Sequence, residues 1–102
     1  MDVTLKIVGS IDLPTRAEVL SRLEALAQGT SSPEATASWA VQFVTADERG
    51  LRQNITDWAV WEALKLVAGA DIRRTSSERL YGPEDFQQWA AELSAAPSGR
   101  GG

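Results

Sequence analysis

The stretch from Asn54 to Asp71, NITDWAVWEALKLVAGAD, decides the fold of this 102-residue chain. Ten of the fourteen residues from 55 to 68 are apolar, and they are not confined to one stripe. A helix of that composition is enclosed on more than one side. We therefore predict a central helix over about 55–68, with Trp58 and Trp61 inside the core.

Capping signals predict three further helices. Thr15 and Glu18 form a capping box for a helix that ends at Gly29. Pro33 marks the first turn of the next, which should fray near Asp47 and leave a surface loop over 47–53. The last helix starts at the Gly82-Pro83 pair and ends near residue 95, because Pro97 cannot continue it.

The N-terminal segment has the alternating pattern of a strand. Val3, Leu5 and Ile7 alternate with polar residues, which predicts a strand over about 3–8, with an extension toward Leu13 left open. A lone strand is not stable, so we consider a short strand near residue 80 as its partner. The predicted fold class is α+β, mainly α: one domain over 1–96, with four helices, and a flexible tail over 97–102.

The charge and the residue types limit the classes of function. The net charge is −4 and the pI is about 4.7, which disfavours nonspecific binding to nucleic acid, although a local basic patch could override this. There is no cysteine, no signal-like N-terminus and no apolar run long enough for a membrane span. We therefore expect a cytoplasmic protein that does not bind a membrane.

No catalytic or metal-binding pattern stands out. Histidine is absent, and no serine lies in a nucleophile motif. The carboxylates lie where helix starts favour negative charge or where they are solvated, as at Asp57, Glu62, Asp71, Glu84 and Asp85. The prediction is a protein that is not an enzyme and takes no metal or cofactor.

Four tryptophans are explained best as core residues. Trp58 and Trp61 stand three apart on one predicted helix, and Trp39 and Trp89 lie on the apolar faces of two others. One exposed tryptophan at a partner-binding face is the alternative. A small-ligand pocket between the tryptophans is a third hypothesis, ranked last.

Charged surface residues supply the candidate binding sites. Arg73, Arg74 and Arg79 form the single basic cluster in the sequence, which could hold a phosphate or an acidic partner, although a solvated loop is the simpler interpretation. No helix beside them shows a recognition pattern for bases. On the acidic side, Asp47 and Glu48 are candidates for contact with a basic partner.

A set of core and cap positions resembles a group of small uncharacterised bacterial proteins. The resemblance covers residues 33–93 and is carried by Trp39, Phe43, Val44, Ile55, Asp57, Val60, Trp61, Leu64, Gly69, Asp71, Leu80, Tyr81, Glu84, Asp85, Phe86 and Trp89. Members of that kind look like immunity-type proteins found near polymorphic toxins, and some are described as DNA-binding. The resemblance implies a fold and gives no functional residue.

Two hypotheses follow for the function. The first is a non-catalytic protein that binds another protein, in the manner of an immunity-type neutraliser of a basic toxin domain, because the surface is acidic and no chemistry is visible. The alternative is a DNA-associated accessory protein that uses the arginine cluster, with nucleic acid as the less favoured partner. The oligomeric state is left open.

Overall fold

Four α-helices and four short strands make up residues 9–97, the part of the chain that this computed structural model describes. The elements in chain order are β1 (Gly9–Asp12), α1 (Arg16–Gln28), α2 (Pro33–Val44), a 3₁₀ turn (Ala46–Arg49), β2 (Leu51–Asn54), α3 (Trp58–Val67), β3 (Arg73–Thr75), β4 (Glu78–Arg79) and α4 (Pro83–Ala95). The predicted fold class, α+β and mainly α with four helices, is confirmed.

The helix boundaries follow the capping signals in the sequence. Thr15 Oγ1 accepts a hydrogen bond from the Glu18 amide at 3.1 Å, and Gly29 ends α1 in the left-handed region with φ 77°. Ser32 caps α2 ahead of Pro33. Such signals depend on neighbours in the sequence, so they could be found without a tertiary structure.

The core lies between α1, α3 and α4, with α2 packed against α3. Its fully buried members are apolar and include Val19, Leu23, Val60, Leu64 and Val67, with Phe86 and Leu93 from α4 nearly as enclosed. Tyr81 and Phe86 both pack against Trp89, with ring centroids 4.9 and 5.4 Å apart. The buried residues of α3 form one stripe, so the prediction of a helix enclosed on more than one side is wrong, and Trp61 is only partly buried; the stripe consists of Val60, Ala63, Leu64 and Val67.

The start of α3 differs from the prediction. The predicted helix started at about residue 55, but α3 begins at Trp58 with Asp57 as its cap. The preceding residues up to Asn54 belong to β2. The prediction that Trp58 is buried is wrong, since it is 51% exposed. Residues of an α-helix turn by about 100° each, so Trp58 lies about 200° from the buried Val60 and faces outward.

The strands pair differently from the proposed topology. Over the described residues, β1 pairs in parallel with β2, and Asn54 Nδ2 donates to Asp12 Oδ1 at 2.9 Å. The strand predicted over 3–8, with its proposed pairing near residue 80, lies outside the described residues, and β1 occupies the extension toward Leu13 that was left open. The loop predicted over 47–53 holds the 3₁₀ turn and most of β2. The polar sequence of β2 carries no alternating pattern that would reveal it.

One arginine ties three helix ends together. Arg16 donates from Nε and Nη2 to the two carboxylate oxygens of Asp57, at 3.0 and 2.9 Å. Its Nη1 donates to the carbonyls of Leu93 and Ala96, and Nη2 also reaches that of Pro97. The hydrogen bond from Arg16 is the main cause that lowers the pKa of Asp57. We call this set of contacts the Arg16 clasp.

Candidate nucleic-acid interface

The three arginines of the predicted cluster lie together on a β-hairpin. Strands β3 and β4 pair in antiparallel fashion around a turn at Ser76 and Ser77, and Arg73 stands directly opposite Arg79. The Leu80 amide closes the base of the hairpin by donating to the Ile72 carbonyl at 3.0 Å. The connection expected to be a solvated loop is therefore an ordered structure that holds two guanidinium groups on neighbouring strands.

A carboxylate lies between two of these guanidinium groups. Arg79 Nη1 is 2.8 Å from Glu34 Oε2, and Arg73 Nη2 donates to the same oxygen at 3.3 Å. Arg79 first, and Arg73 to a smaller extent, hold the pKa of Glu34 below its usual range. Glu34 lies in the first turn of α2, so this contact joins the hairpin to the start of that helix.

The three arginines are not equivalent. Arg74 follows Arg73 in β3, its side chain is exposed, and it has no ion-pair partner among residues 9–97. Arg73 and Arg79 keep 45% and 33% of their side-chain surface accessible despite their contact with Glu34. Arg74 is therefore fully available to solvent, whereas Arg73 and Arg79 are partly covered by Glu34.

The charge of the hairpin is opposite to that of the whole protein. Three arginines stand within residues 73–79 against a single acidic residue, Glu78, whereas the full chain carries −4. A local potential of this kind depends on nearby groups, because charges more than about 10 Å apart are largely screened at 0.1 M salt. The hairpin is a basic patch on an acidic protein.

Asp47 and Glu48 do not adjoin this patch. They are exposed in the 3₁₀ turn that follows α2, where Asp47 Oδ1 accepts a hydrogen bond from Gln53 at 3.2 Å. Glu34 and the hairpin lie at the start of α2, and a twelve-residue helix is about 18 Å long. The acidic and basic candidate residues thus occupy opposite ends of one helix.

Glu34 is a site residue that the sequence does not reveal. It is 39 residues from Arg73 in the chain, and no local pattern links the two. The available signal was weak: an acidic residue at a helix start attracts cations as well as completing the dipole.

The tryptophans do not enclose a common pocket. An apolar cleft of about 260 Å³ lies between α3 and α4, and among its lining residues is Trp89 but none of the other three tryptophans. Trp39 instead packs edge-on against Phe43, with the Arg22 guanidinium 4.0 Å from its ring centroid. The ligand pocket between tryptophans is therefore not found in the described structure.

The described residues contain neither a metal-binding cluster nor a membrane-spanning helix. Between positions 9 and 97, no group of three or more acidic side chains is arranged to hold a metal ion. None of the helices described combines the length and apolar character needed to cross a bilayer.

Comparison with known proteins gives the family. A sequence model of the family described as "YxzC DNA-binding protein" matches residues 4–93. This chain belongs to that family. It is 26% identical over 77 residues to the "Uncharacterized protein YxzC" of Bacillus subtilis (strain 168), an alignment that takes in 76% of this chain. The aligned region spans only 60% of that YxzC protein, and no solved structure matches the chain.

Membership of the YxzC family corrects two predictions. The resemblance to immunity-type proteins near polymorphic toxins is wrong, and so is the main hypothesis of a toxin neutraliser, because the matching family is described as DNA-binding. The basic toxin domain has no support as a partner. The argument against nucleic acid used the charge of the whole chain, whereas three of the eight arginines lie together in one hairpin.

Proposed function

We propose that this protein is a non-catalytic, DNA-associated accessory protein of the bacterial cytoplasm, which contacts the phosphate backbone through Arg73, Arg74 and Arg79. The observation that carries the proposal is the placement of these three arginines on one ordered, accessible hairpin. The DNA-binding description of the family supports the choice of ligand. Arginine is well suited to binding the DNA backbone, because its planar guanidinium can donate two hydrogen bonds to one phosphate.

The expected mode of binding is weak and independent of sequence. Each phosphate neutralised contributes about −0.9 to the slope of log K against log salt concentration. The hairpin should therefore give a slope between about −0.9, for Arg74 alone, and about −2.7, for all three arginines. Base recognition is not part of the proposal, because phosphate contacts position a protein and carry no direct sequence information.

The absence of histidine and cysteine from the whole chain supports a non-catalytic role. These residues supply the commonest general base and the most nucleophilic side chain. Phosphate binding needs neither, since positive charge and hydrogen-bond donors suffice.

The test is a salt titration of binding to labelled duplex DNA, followed by fluorescence anisotropy, with a matched pair of variants. Arg74→Gln removes an exposed strand arginine from the hairpin, and Arg52→Gln removes one from β2. Both change the net charge by one unit, and neither arginine has an ion-pair partner within 9–97. Arg74→Gln should make the slope shallower by about 0.9 and weaken binding about eightfold at 0.1 M salt.

Arg52→Gln should leave the slope and the affinity near the wild-type values, because β2 lies against the 3₁₀ turn at the far end of α2. Equal losses in the two variants would show that only net charge matters and would overturn the hairpin as the contact surface. Wild-type protein that fails to bind DNA even at 20 mM salt would refute the proposed function.

A further inference from the structure

The contact between Glu34 and the hairpin has the chemistry of a bound phosphate. One carboxylate oxygen lies within 3.3 Å of guanidinium nitrogens from two arginines on neighbouring strands. Pairs of arginines that converge on one anionic oxygen are also how proteins hold phosphate groups. The described structure therefore contains an anion site whose present occupant is a side chain of the same chain.

The start of α2 adds to the positive potential at this site. Glu34 lies in the first turn of a twelve-residue helix, where unpaired amide groups and the helix dipole favour an anion. Three sources of positive charge thus converge on the carboxylate: Arg73, Arg79 and the helix terminus. The lowered pKa of Glu34 agrees with this environment.

The carboxylate is held loosely enough to be displaced. The Glu34 side chain is 48% exposed, and an exposed ion pair contributes little to stability because water solvates both partners. Arg73 also holds Glu34 through a single long hydrogen bond and keeps its other donors available. A DNA phosphodiester has two non-bridging oxygens and could accept from both arginines, whereas both arginine contacts to Glu34 go to its single Oε2 atom.

From these contacts we infer that Glu34 is an internal competitor for DNA phosphate, occupying the anion site formed by Arg73, Arg79 and the start of α2. This inference rests on the proposed function for its ligand, since it assigns a regulated phosphate position to the same hairpin. In the free protein Glu34 masks two of the three arginines and leaves Arg74 to make the first contact. A phosphate then replaces the carboxylate, and the competition keeps the affinity low.

The main experiment compares Glu34→Gln with Glu48→Gln in the DNA titration. Both substitutions remove one negative charge from an exposed residue. Glu34→Gln should raise affinity about fivefold at 0.1 M salt, because a phosphate no longer has to displace the carboxylate from its ion pairs. The slope should stay near the wild-type value, because the same number of phosphates is neutralised in both proteins. Glu48→Gln should change affinity by at most about twofold, because it lies about two Debye lengths from the hairpin.

Glu34→Asp separates occupancy from charge. It keeps the net charge but shortens the side chain by one methylene, so the carboxylate is drawn back from the arginines. The affinity should lie between those of wild type and Glu34→Gln. In NMR spectra, the amide signals of residues 73–79 should keep their wild-type positions in each variant, because the hairpin remains folded. Loss of these signals in a variant would show that its change in affinity comes from unfolding of the hairpin.

The same variants distinguish failure of this inference from failure of the proposed function. If wild type binds DNA and Glu34→Gln gains no more than Glu48→Gln, phosphate binds with Glu34 in place and only the competition is refuted. If no variant binds DNA, NMR titration with inorganic phosphate still tests the anion site. Phosphate should shift the Arg73 and Arg79 side-chain signals at lower concentration in Glu34→Gln than in wild type, and equal midpoints would overturn the inference.

Discussion

Within residues 9–97, ion pairs between arginine and carboxylate join distant parts of the chain at two sites, which differ in their hydrogen-bond partners and in their exposure. In the Arg16 clasp, one arginine serves one carboxylate and three backbone carbonyls, and both side chains are about 20% exposed. At Glu34, two arginines share one carboxylate oxygen, and the groups keep a third to a half of their surface.

The difference indicates which arginines are available for binding. All the donors of Arg16 are directed at protein acceptors, and displacing it would leave the Asp57 charge and the end of α4 without partners. Arg73 and Arg79 have donors in excess of the acceptors that Glu34 provides. The first contact is suited to stability and the second to exchange with an external anion.

The largest effect is expected from Arg16→Ala. The variant loses the hydrogen bonds to Asp57 and to the carbonyls at the end of α4, so the melting temperature should fall by about 10 °C. Thermal unfolding followed by circular dichroism measures this. Arg52→Ala is the control, and its melting temperature should stay within about 2 °C of wild type. Equal falls in the two variants would show that the Arg16 clasp stabilises the protein no more than an exposed arginine does.

The pH dependence of stability should come next in size. The folded pKa of Asp57 lies below the unfolded value of about 3.9, so its contribution is present above pH 4 and is lost as pH falls through the folded pKa. Urea unfolding at pH 7, 5, 4 and 3 should therefore show a decline that is shallower in Asp57→Asn, which keeps a capping side chain. Parallel curves for the two proteins would contradict this assignment.

The smallest effect on stability is expected at the hairpin. Arg73→Gln combined with Arg79→Gln removes both partners of Glu34, yet the melting temperature should change by no more than about 3 °C, because these ion pairs are exposed. The pKa of Glu34, followed by NMR, should rise toward its ordinary value. A loss of stability equal to that of Arg16→Ala would mean that the hairpin contact is structural.

The sequence predicted most of the helical framework. The Thr15 cap, the Gly29 stop and the proline-led starts of α2 and α4 are all found, because each depends on hydrogen bonds between residues a few positions apart. Trp58 shows the limit of the same reasoning. Apolar content predicted an enclosed helix, but only one stripe of α3 is buried by its neighbours, and Trp58 lies outside that stripe.

The candidate site was predicted in part. Arg73, Arg74 and Arg79 are close in sequence, so their clustering could be seen directly, and the structure adds their pairing on two strands. The role of Glu34 could not be seen, because it comes from a helix start 39 residues away. The net charge misled the choice of partner, since it averages over surfaces that are screened from one another.

The sequence by itself determined the class of fold, the caps of the helices and the presence of one basic cluster in an acidic chain, because these properties are local or additive. Only the tertiary structure decided that Arg16 donates its hydrogen bonds to Asp57 and to the end of α4, while Arg73 and Arg79 share Glu34 at the surface. The reason is physical: the donors available to an arginine depend on acceptors brought to it by folding from distant positions in the chain.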